Sequence, residues 1–485
     1  MSTAGPRHVG ASALLDKENA ADTTVVDVVR SPLYRGQPPT APRGRQSVKI
    51  SVVGGASMHL PVLVRRLVAR GQDLGLSEIS LFEPDTRLAA AMERACSDSP
   101  TEGTQKLAVT WAPNLRSCLA DASFVFAAMQ VGGDHMTTLD QQVCAAMQVP
   151  WYETAGAGGF AATVRAIPAA LQLAAALREA APEAWLVNLA EPVGALVQAM
   201  TTHGGVHNVV GICETPATLR TALASLVEAQ PEDIVLDWYG LSHLGFLKAV
   251  CILGRDVLPH ILAMTAELPD LAGLTPFSSA YLQQAGYLPG PEVRAYTFRR
   301  ESQAAGGAAG EHIEALDASL LEELEAAPPD ASTRYDAYLA AREAARSASA
   351  WHPAVTLKPG EALARAAVQV LESLAGKCDS VLPVDTVNRG AIPSLAPDDV
   401  VEVPCAITER LVRPLAVGPI DSATRLLIEQ VKLYEHSLVD AVVYRDLDSL
   451  VAALSLNPLI PSPDTAQDLV QAFREREAPY FDGFR

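Results

Sequence analysis

A short apolar run followed by a glycine turn constrains the fold of this chain more than any other feature. Residues 48–53 read Val-Lys-Ile-Ser-Val-Val, the pattern of a buried strand, and the turn Gly54-Gly55-Ala56-Ser57 follows at once. Beyond a helix predicted over 61–70, further short apolar runs alternate with helical stretches, at 79–83, 107–111, 124–128, 185–188 and 209–213. Strands that alternate with helices pack as a parallel sheet covered on both faces. We therefore predict an α/β fold with a Rossmann-like, doubly wound parallel sheet.

The glycine turn predicts a dinucleotide site. A turn of this kind between a strand and a helix lets a pyrophosphate approach backbone N–H groups at the helix N-terminus. Gly54 and Gly55 would form the turn, and the Ser57 hydroxyl can donate to a phosphate. Glu83 ends the second predicted strand, where an acid accepts hydrogen bonds from the adenosine ribose, with a solvated strand end as the alternative. We predict that these four residues bind NAD.

Cys213 and His243 form a candidate metal pair. They stand in Gly211-Ile212-Cys213-Glu214 and in Tyr239-Gly240-Leu241-Ser242-His243. A soft thiolate and an imidazole together suit one divalent transition metal, with Mn²⁺ expected first. Taken alone, Cys213 equally suits a small buried hydrophobe and His243 a core histidine.

Charge and cysteine content limit the partners of this chain. The net charge of −19 argues against a nucleic-acid polymer or an anionic membrane surface as the partner. Seven scattered cysteines without a C-x-x-C pair suit a reducing compartment. No apolar run in the sequence looks long enough for a membrane span. We expect a soluble, cytoplasmic protein.

The two halves of the chain differ in pattern. The 485 residues exceed one typical domain, and helical, Ala- and Glu-rich stretches dominate from about 255 to 375 before a strand pair at 380–384 and 399–404. A helical tail follows from about 422. The prediction is a disordered extension over 1–46, an NAD-binding domain over 47–212, and an α+β domain that binds metal and substrate over 213–485.

The chain resembles the NAD- and divalent-metal-dependent glycosidases of glycoside hydrolase family four, from about residue 48 to the last helix. The resemblance rests on short motifs in a fixed order, which are Gly54-Gly55-Ala56-Ser57, Val131-Gly132-Gly133, Glu153-Thr154-Ala155-Gly156, Ile167-Pro168, Trp185-Leu186-Val187-Asn188, Gly211-Ile212-Cys213, Tyr239-Gly240-Leu241-Ser242-His243, Asn388-Arg389-Gly390-Ala391-Ile392, Val401-Glu402-Val403-Pro404 and Leu456-Asn457-Pro458-Leu459. It implies a fold like that of lactate and malate dehydrogenases and a homodimer or homotetramer.

The resemblance also implies an oxidative route to glycoside cleavage, outside the usual two-carboxylate mechanism. NAD oxidises the C3 hydroxyl of the sugar, a base removes the C2 proton, the C1 group is eliminated, and water adds before the hydride returns. By position, Cys213 and His243 would hold the metal, and Asn188 would lie near the nicotinamide and the sugar. Glu153 and Glu191 would face the substrate, and Glu214 would be a general acid or an acidic wall.

The departures from the family pattern bear on the substrate. Arginines that serve phosphorylated sugars are replaced by Gln130, also expected beside the cofactor, and by Thr137. The family's Asn-Pro after Asn188 becomes Glu191-Pro192. Losing bidentate donors and gaining a carboxylate disfavours a phosphate. We therefore expect a carbohydrate without a 6-phosphate.

The base that removes the C2 proton is open at this stage. The first Tyr of the family's segment falls on Glu292, and only Tyr296 remains of the later pair, with Tyr287 just before it. Glu292, Tyr296 or Tyr287 takes the role, or elimination is lost. Loss of elimination would leave an NAD-dependent sugar or nucleoside oxidoreductase or epimerase, and a non-catalytic NAD-sensing protein is the third reading.

Overall fold

The computed structural model describes residues 47–54, 60–97, 107–264, 275–299, 301, 309–349 and 358–485. The extension predicted over 1–46 and two of the predicted NAD-binding residues, Gly55 and Ser57, lie outside this range.

The strands of the described residues join one sheet. They are β1 Val48–Val53, β2 Leu76–Phe82, β3 Ala108–Trp111, β4 Phe124–Ala127, β5 Trp185–Asn188, β6 Val209–Gly211, β7 Ile234–Leu241, β8 Leu244–Ile252, β9 Arg255–Asp256, β10 Leu288–Pro289, β11 Ser380–Val387, β12 Val400–Thr408 and β13 Leu411–Pro414.

The helices of the described residues cover both halves of the sheet. They are α1 Leu60–Ala69, α2 Gly71–Leu74, α3 Thr86–Ser97, α4 Leu115–Leu119, α5 Gly133–Ala146, α6 Gly156–Ala180, α7 Val193–Thr202, α8 Glu214–Leu226, α9 Leu258–Ala263, α10 Ser279–Ala285, α11 Arg294–Thr297, α12 Ala309–Glu325, α13 Ala331–Ser349, α14 Glu361–Leu374, α15 Ser422–Tyr444, α16 Leu447–Leu456 and α17 Pro463–Arg476. Short 3₁₀ helices lie at Pro231–Asp233, Pro291–Val293 and Ala478–Tyr480.

The sheet has a parallel half and an antiparallel half. Its order is β10-β8-β7-β12-β11-β6-β5-β4-β1-β2-β3, with β13 paired to β12 and β9 to β8. The run β3-β2-β1-β4-β5-β6 is parallel and follows the doubly wound order of dinucleotide-binding folds. The parallel, doubly wound sheet predicted from the sequence is confirmed. Since β11 pairs antiparallel to β6, both halves share one sheet, and the division at residue 212 stays a prediction.

The longest core helix corrects one sequence expectation. By length and composition, α6 is long and apolar enough to cross a membrane. The prediction that no apolar run of the sequence reaches the length of a membrane span is therefore wrong for this helix. Of its most apolar stretch, 61% is buried inside the protein, and the helix packs on α4, α5, α7 and α15. Core helices of globular proteins meet the same criterion, so α6 is accounted for by this packing.

A β-hairpin that the sequence reading missed brings the second half to the site. Strands β7 and β8 pair from Ile234↔Ile252 to Leu241↔Leu244 and turn at residues 242–243. Apolar side chains bury this hairpin, among them Trp238 and Tyr239. The turn thereby carries His243 to the end of the parallel half.

Candidate active site

The carboxyl ends of β1, β2 and β4 form the predicted nucleotide edge. Gly54 directly follows β1 with φ +98°, and a Cβ there would lie 2.5 Å from the backbone N of Met129. Only glycine allows the segments after β1 and β4 to approach this closely. Glu83 directly follows β2, and its carboxylate accepts from the backbone N–H of Asp85 at 3.1 Å. Gly54 and Glu83 thus stand where the sequence predicted them.

The side-chain amides of Gln130 and Asn188 both form local hydrogen bonds. Gln130 donates from Nε2 to Asp134 at 3.1 Å, near the start of α5. Arg342 of α13 donates to both oxygens of Asp134, at 2.6 and 2.9 Å. Asn188 ends β5, is fully buried, and exchanges hydrogen bonds with the backbone of Ala190 at 2.9 and 3.3 Å. These contacts fix both amides beside the predicted cofactor edge.

Cys213 and His243 meet, although 30 residues separate them in sequence. Cys213 follows β6 and is the N-cap residue of α8, while His243 lies in the β7–β8 turn with φ +60°. The Cys213 Sγ lies 3.7 Å from the His243 Nε2. Both carboxylate oxygens of Glu191 lie 3.1–3.2 Å from that same nitrogen, and the Glu292 Oε1 lies 3.9 Å from Nδ1. The predicted metal pair is therefore surrounded by carboxylates.

The electrostatics of this group follow from burial and close pairing. Burial raises the pKa of Cys213 to about 12, against the opposing influence of His243. Burial alone would lower the pKa of His243, but Cys213 and Glu191 outweigh it and raise that pKa well above its usual value. Cys213 and Glu191 thus both favour the protonated imidazole, and burial opposes it.

Two buried acids next to this group were not singled out from the sequence as site residues. Asp385 of β11 and Glu402 of β12 are opposite one another in register and are 1% and 0% exposed. The Trp238 Nε1 donates to Glu402 at 2.6 Å, whereas the other Glu402 oxygen and both Asp385 oxygens have no hydrogen-bond partner among the described residues. The available signal was an acid inside each apolar strand run.

The candidate bases differ in their surroundings. Glu292, in the 3₁₀ helix Pro291–Val293, accepts a short hydrogen bond from Thr215. Burial would raise its pKa, but His243 and Thr215 lower it below the usual value. Tyr296 is 8% exposed, and burial raises the pKa of its phenol. Burial likewise raises the pKa of Tyr287, which packs edge-on against Phe246 at 5.7 Å. Glu292 is the one of the three held as a carboxylate.

Helix α13 supplies cations that the sequence reading missed. Arg346 donates to both oxygens of Glu153 at 3.2 and 3.3 Å, and Arg342 also reaches Asp317 at 2.9 Å. Glu214, the first residue of α8, is half-buried directly after Cys213. The two arginines stand one helical turn apart, a spacing that places them on one face. Asp134 and Glu153 are distant from these arginines in sequence, so no local pattern connects the partners.

The donors present fit a transition metal in an open site. As they stand in the described part of the chain, no three or more His, Cys, Asp or Glu side chains are grouped so that they could hold a metal ion. The Cys213–His243 pair offers one soft and one borderline donor, the set such metals prefer. With metal–sulfur and metal–nitrogen bonds of about 2.3 and 2.05 Å, a tetrahedral angle separates the two donors by about 3.6 Å. The observed separation of 3.7 Å agrees.

Comparison with known proteins supports this architecture. Solved structures with the same fold include the 6-phospho-beta glucosidase of Thermotoga maritima with manganese, NAD+ and glucose-6-phosphate (TM-score 0.75, 22% identity, covering 89% of this chain and 99% of that one). A 6-phospho-alpha-glucosidase from gut microorganisms with NAD and Mn²⁺ has a TM-score of 0.76 at 20% identity, over 91% and 100%. A lactate dehydrogenase from a deep-sea metagenome library reaches 0.51 at 13% identity, over 82% and 100%. The predicted dehydrogenase-like fold is confirmed.

Sequence comparison identifies the family. The 6-phospho-beta-glucosidase of Thermotoga maritima is 24% identical over 441 residues, 89% of this chain and 99% of that protein. The family model described as Family 4 glycosyl hydrolase matches residues 49–229, and that of the Family 4 glycosyl hydrolase C-terminal domain matches residues 238–460. Since the two matches together cover most of the chain, the protein belongs to family 4 of the glycosyl hydrolases.

Proposed function

We propose that this protein is an NAD- and divalent-metal-dependent glycosidase that oxidises the C3 hydroxyl of a non-phosphorylated glycoside and cleaves it by elimination and addition. The observation that carries the proposal is the 3.7 Å approach of Cys213 to His243 at the end of the parallel half. The close approach of Gly54 to the backbone after β4 supports a nucleotide turn in the same half. Solved relatives that contain NAD and Mn²⁺ support the same cofactors here.

In this proposal, some site residues bind the cofactors and one accepts a proton. When bound, NAD takes up and returns the C3 hydride, and the divalent ion, Mn²⁺ first, acts as a Lewis acid on the sugar oxygens. Gly54 and Glu83 would hold the nucleotide, and Cys213 and His243 the ion. Glu292, held as a carboxylate by His243 and Thr215, would accept the C2 proton.

Charge in the site supports a substrate without a phosphate. Gln130 and Thr137 stand where the family's phosphate-binding arginines are expected. The guanidinium groups of α13 are engaged by carboxylates, Arg342 by Asp134 and Arg346 by Glu153. The relatives are named for phosphorylated sugars, so this chain would differ from them in specificity. A neutral or cationic sugar suits the remaining acids better than a phosphate dianion does.

A second candidate function is an NAD-dependent sugar or nucleoside oxidoreductase or epimerase without glycosidic cleavage. The observation that favours it is the state of the phenols, because burial raises the pKa of both Tyr287 and Tyr296 away from that of an active base. Cytoplasmic location and a homodimer or homotetramer stay predictions, to be checked by fractionation and by light scattering.

A C2-deuterated chromogenic glycoside tests the proposal. With elimination, the substrate loses its label to ordinary water and releases the aglycone, and Glu292→Gln slows both while Tyr287→Phe does not. Net NADH or an epimer without free aglycone would establish the second candidate instead. Efficient cleavage of a 6-phosphoglycoside, with the neutral glycoside ignored, would refute the substrate assignment.

A further inference from the structure

Glu191 is held in place from two sides. It lies between β5 and α7, and one of its carboxylate oxygens accepts from the backbone N–H of Val193 at 3.1 Å. Both oxygens lie 3.1–3.2 Å from the His243 Nε2. Its side chain is 33% exposed, so it borders both the buried pair and the open site. The anchoring bond at the start of α7 fixes the direction in which the carboxylate points.

Metal binding would change the partner of this carboxylate. A proton on Nε2 would be donated to Glu191, but ligation through Nε2 requires that nitrogen's lone pair. The ring proton would then sit on Nδ1, on the side of Glu292. Glu191 would lose its donor and stand within about 3 Å of a new cation. A carboxylate in that position binds the cation.

The distances allow this rearrangement with little movement. Metal–nitrogen and metal–oxygen bonds of about 2.0–2.2 Å place the two donors about 2.9 Å apart at a right angle and about 3.4 Å apart at a tetrahedral angle. The observed Glu191–His243 separations fall within this interval. Cys213 lies on the same nitrogen at 3.7 Å.

We propose that Glu191 is a third protein ligand of the metal, completing a Cys213–His243–Glu191 set. The inference rests on the metal site of the proposed function. The family pattern has Asn at this position, so the carboxylate would distinguish this chain by a more firmly held ion. Cys213 follows β6 and Glu191 precedes α7, both in the parallel half, while His243 lies in the β7–β8 turn of the antiparallel half, so the ion would join the two halves of the sheet.

Metal affinity of the chelator-stripped, full-length protein tests the inference without any turnover. Isothermal titration with Mn²⁺ should give a Kd about 10–100-fold higher in Glu191→Asn and in Glu191→Gln than in the wild type. Glu214→Gln is the matched control, since it removes an equal charge from the residue next to Cys213, and its Kd should stay within about threefold. Equal losses of Mn²⁺ affinity in all three variants would mean that Glu191 acts only through its negative charge, and would overturn the proposal.

Cobalt absorption separates ligation from charge. With Co²⁺, the thiolate charge-transfer band of Cys213 should persist in Glu191→Asn, while the d–d bands change from those of the wild type. Unchanged d–d bands with unchanged affinity would refute the third ligand. If Cys213→Ser binds Mn²⁺ as tightly as the wild type does, the metal site of the proposed function itself is wrong. If only Cys213→Ser weakens binding, the function stands and this inference alone fails.

Discussion

Replacing Asp385 by Asn should make the stability of this protein less dependent on pH. The Asp385 side chain is 1% exposed, faces Glu402 across the strand pair, and lacks a hydrogen-bond partner among the described residues. Burial, and then the negative charge of Glu191, raises the pKa of Asp385 from 3.8 to about 7. Burial and the charge of Asp385 raise the pKa of Glu402 as well. The folded protein therefore favours the protonated acid.

The sign and size of the effect follow from this shift. A raised folded-state pKa contributes stability that is fully present below the unfolded pKa and is lost as the pH rises through the folded pKa. Three pKa units correspond to about 4 kcal/mol, of which about two units, or roughly 2.5 kcal/mol, fall between pH 5 and pH 8. This is an upper limit, because the charge of Asp385 also shifts the ionisation of Glu402. Asn lacks this titration, and its amide can donate towards the unpaired Glu402 oxygen.

Thermal unfolding of the metal-free protein at pH 5 and at pH 8 measures the effect. The melting temperature of Asp385→Asn minus that of the wild type should increase by a few degrees from pH 5 to pH 8. Asp398→Asn, an exposed acid in the segment between β11 and β12, is the matched control and should show no such change. If the difference in melting temperature between Asp385→Asn and the wild type were the same at both pH values, Asp385 would not release its proton in this range. That result would refute the reasoning.

Three further predictions concern the frame of the site. Arg165→Met should destabilise the protein by about 3–5 kcal/mol in chemical denaturation, since it leaves the buried Asp140 and Glu477 without their cation; a loss below 1 kcal/mol would contradict this. Gly54→Ala should abolish the NAD-induced thermal shift, because its Cβ would collide with the backbone after β4, and an unchanged shift would move the nucleotide elsewhere. Cys213→Ser should lose Mn²⁺ affinity by at least about tenfold in titration, and unaltered binding would exclude the thiolate ligand.

Most of the parallel half of the fold could be predicted from the sequence. Its strands are buried on both faces, so each appears as a continuous apolar run between helices, as at Val48–Val53 and Phe124–Ala127. The hairpin β7–β8 is not predicted from the sequence, because Tyr239-Gly240-Leu241-Ser242-His243 stands out there only as a motif around His243. Strand β7 pairs along its length with the adjacent β8, and it joins the rest of the sheet through β12, a strand far along the chain.

Part of the candidate site could likewise be predicted from the sequence, and part could not. The proximity of Cys213 and His243 could be predicted, because thiol and imidazole are rare residue types and both stand in recognisable motifs. The positions of Asp385 and Arg342 beside the site could not be predicted, since an acid in a strand and an arginine on a helix are common. Only their tertiary contacts place them there. The pairing of Arg342 with Asp134 spans 208 residues, a separation at which no local pattern carries information.

Two departures from the family pattern act in one direction, towards more negative charge, because Glu191 stands in place of an amide and Gln130 in place of a cation. Apart from these departures, Asp385 and Glu402 are buried, and three of their four carboxylate oxygens have no hydrogen-bond partner among the described residues. Isolated charges in such a setting are costly, so the acids must be neutralised by protons or by a cation. A divalent ion between Cys213, His243 and Glu191 would supply that charge where the acids converge. Metal retention and rejection of phosphate would then share one physical cause.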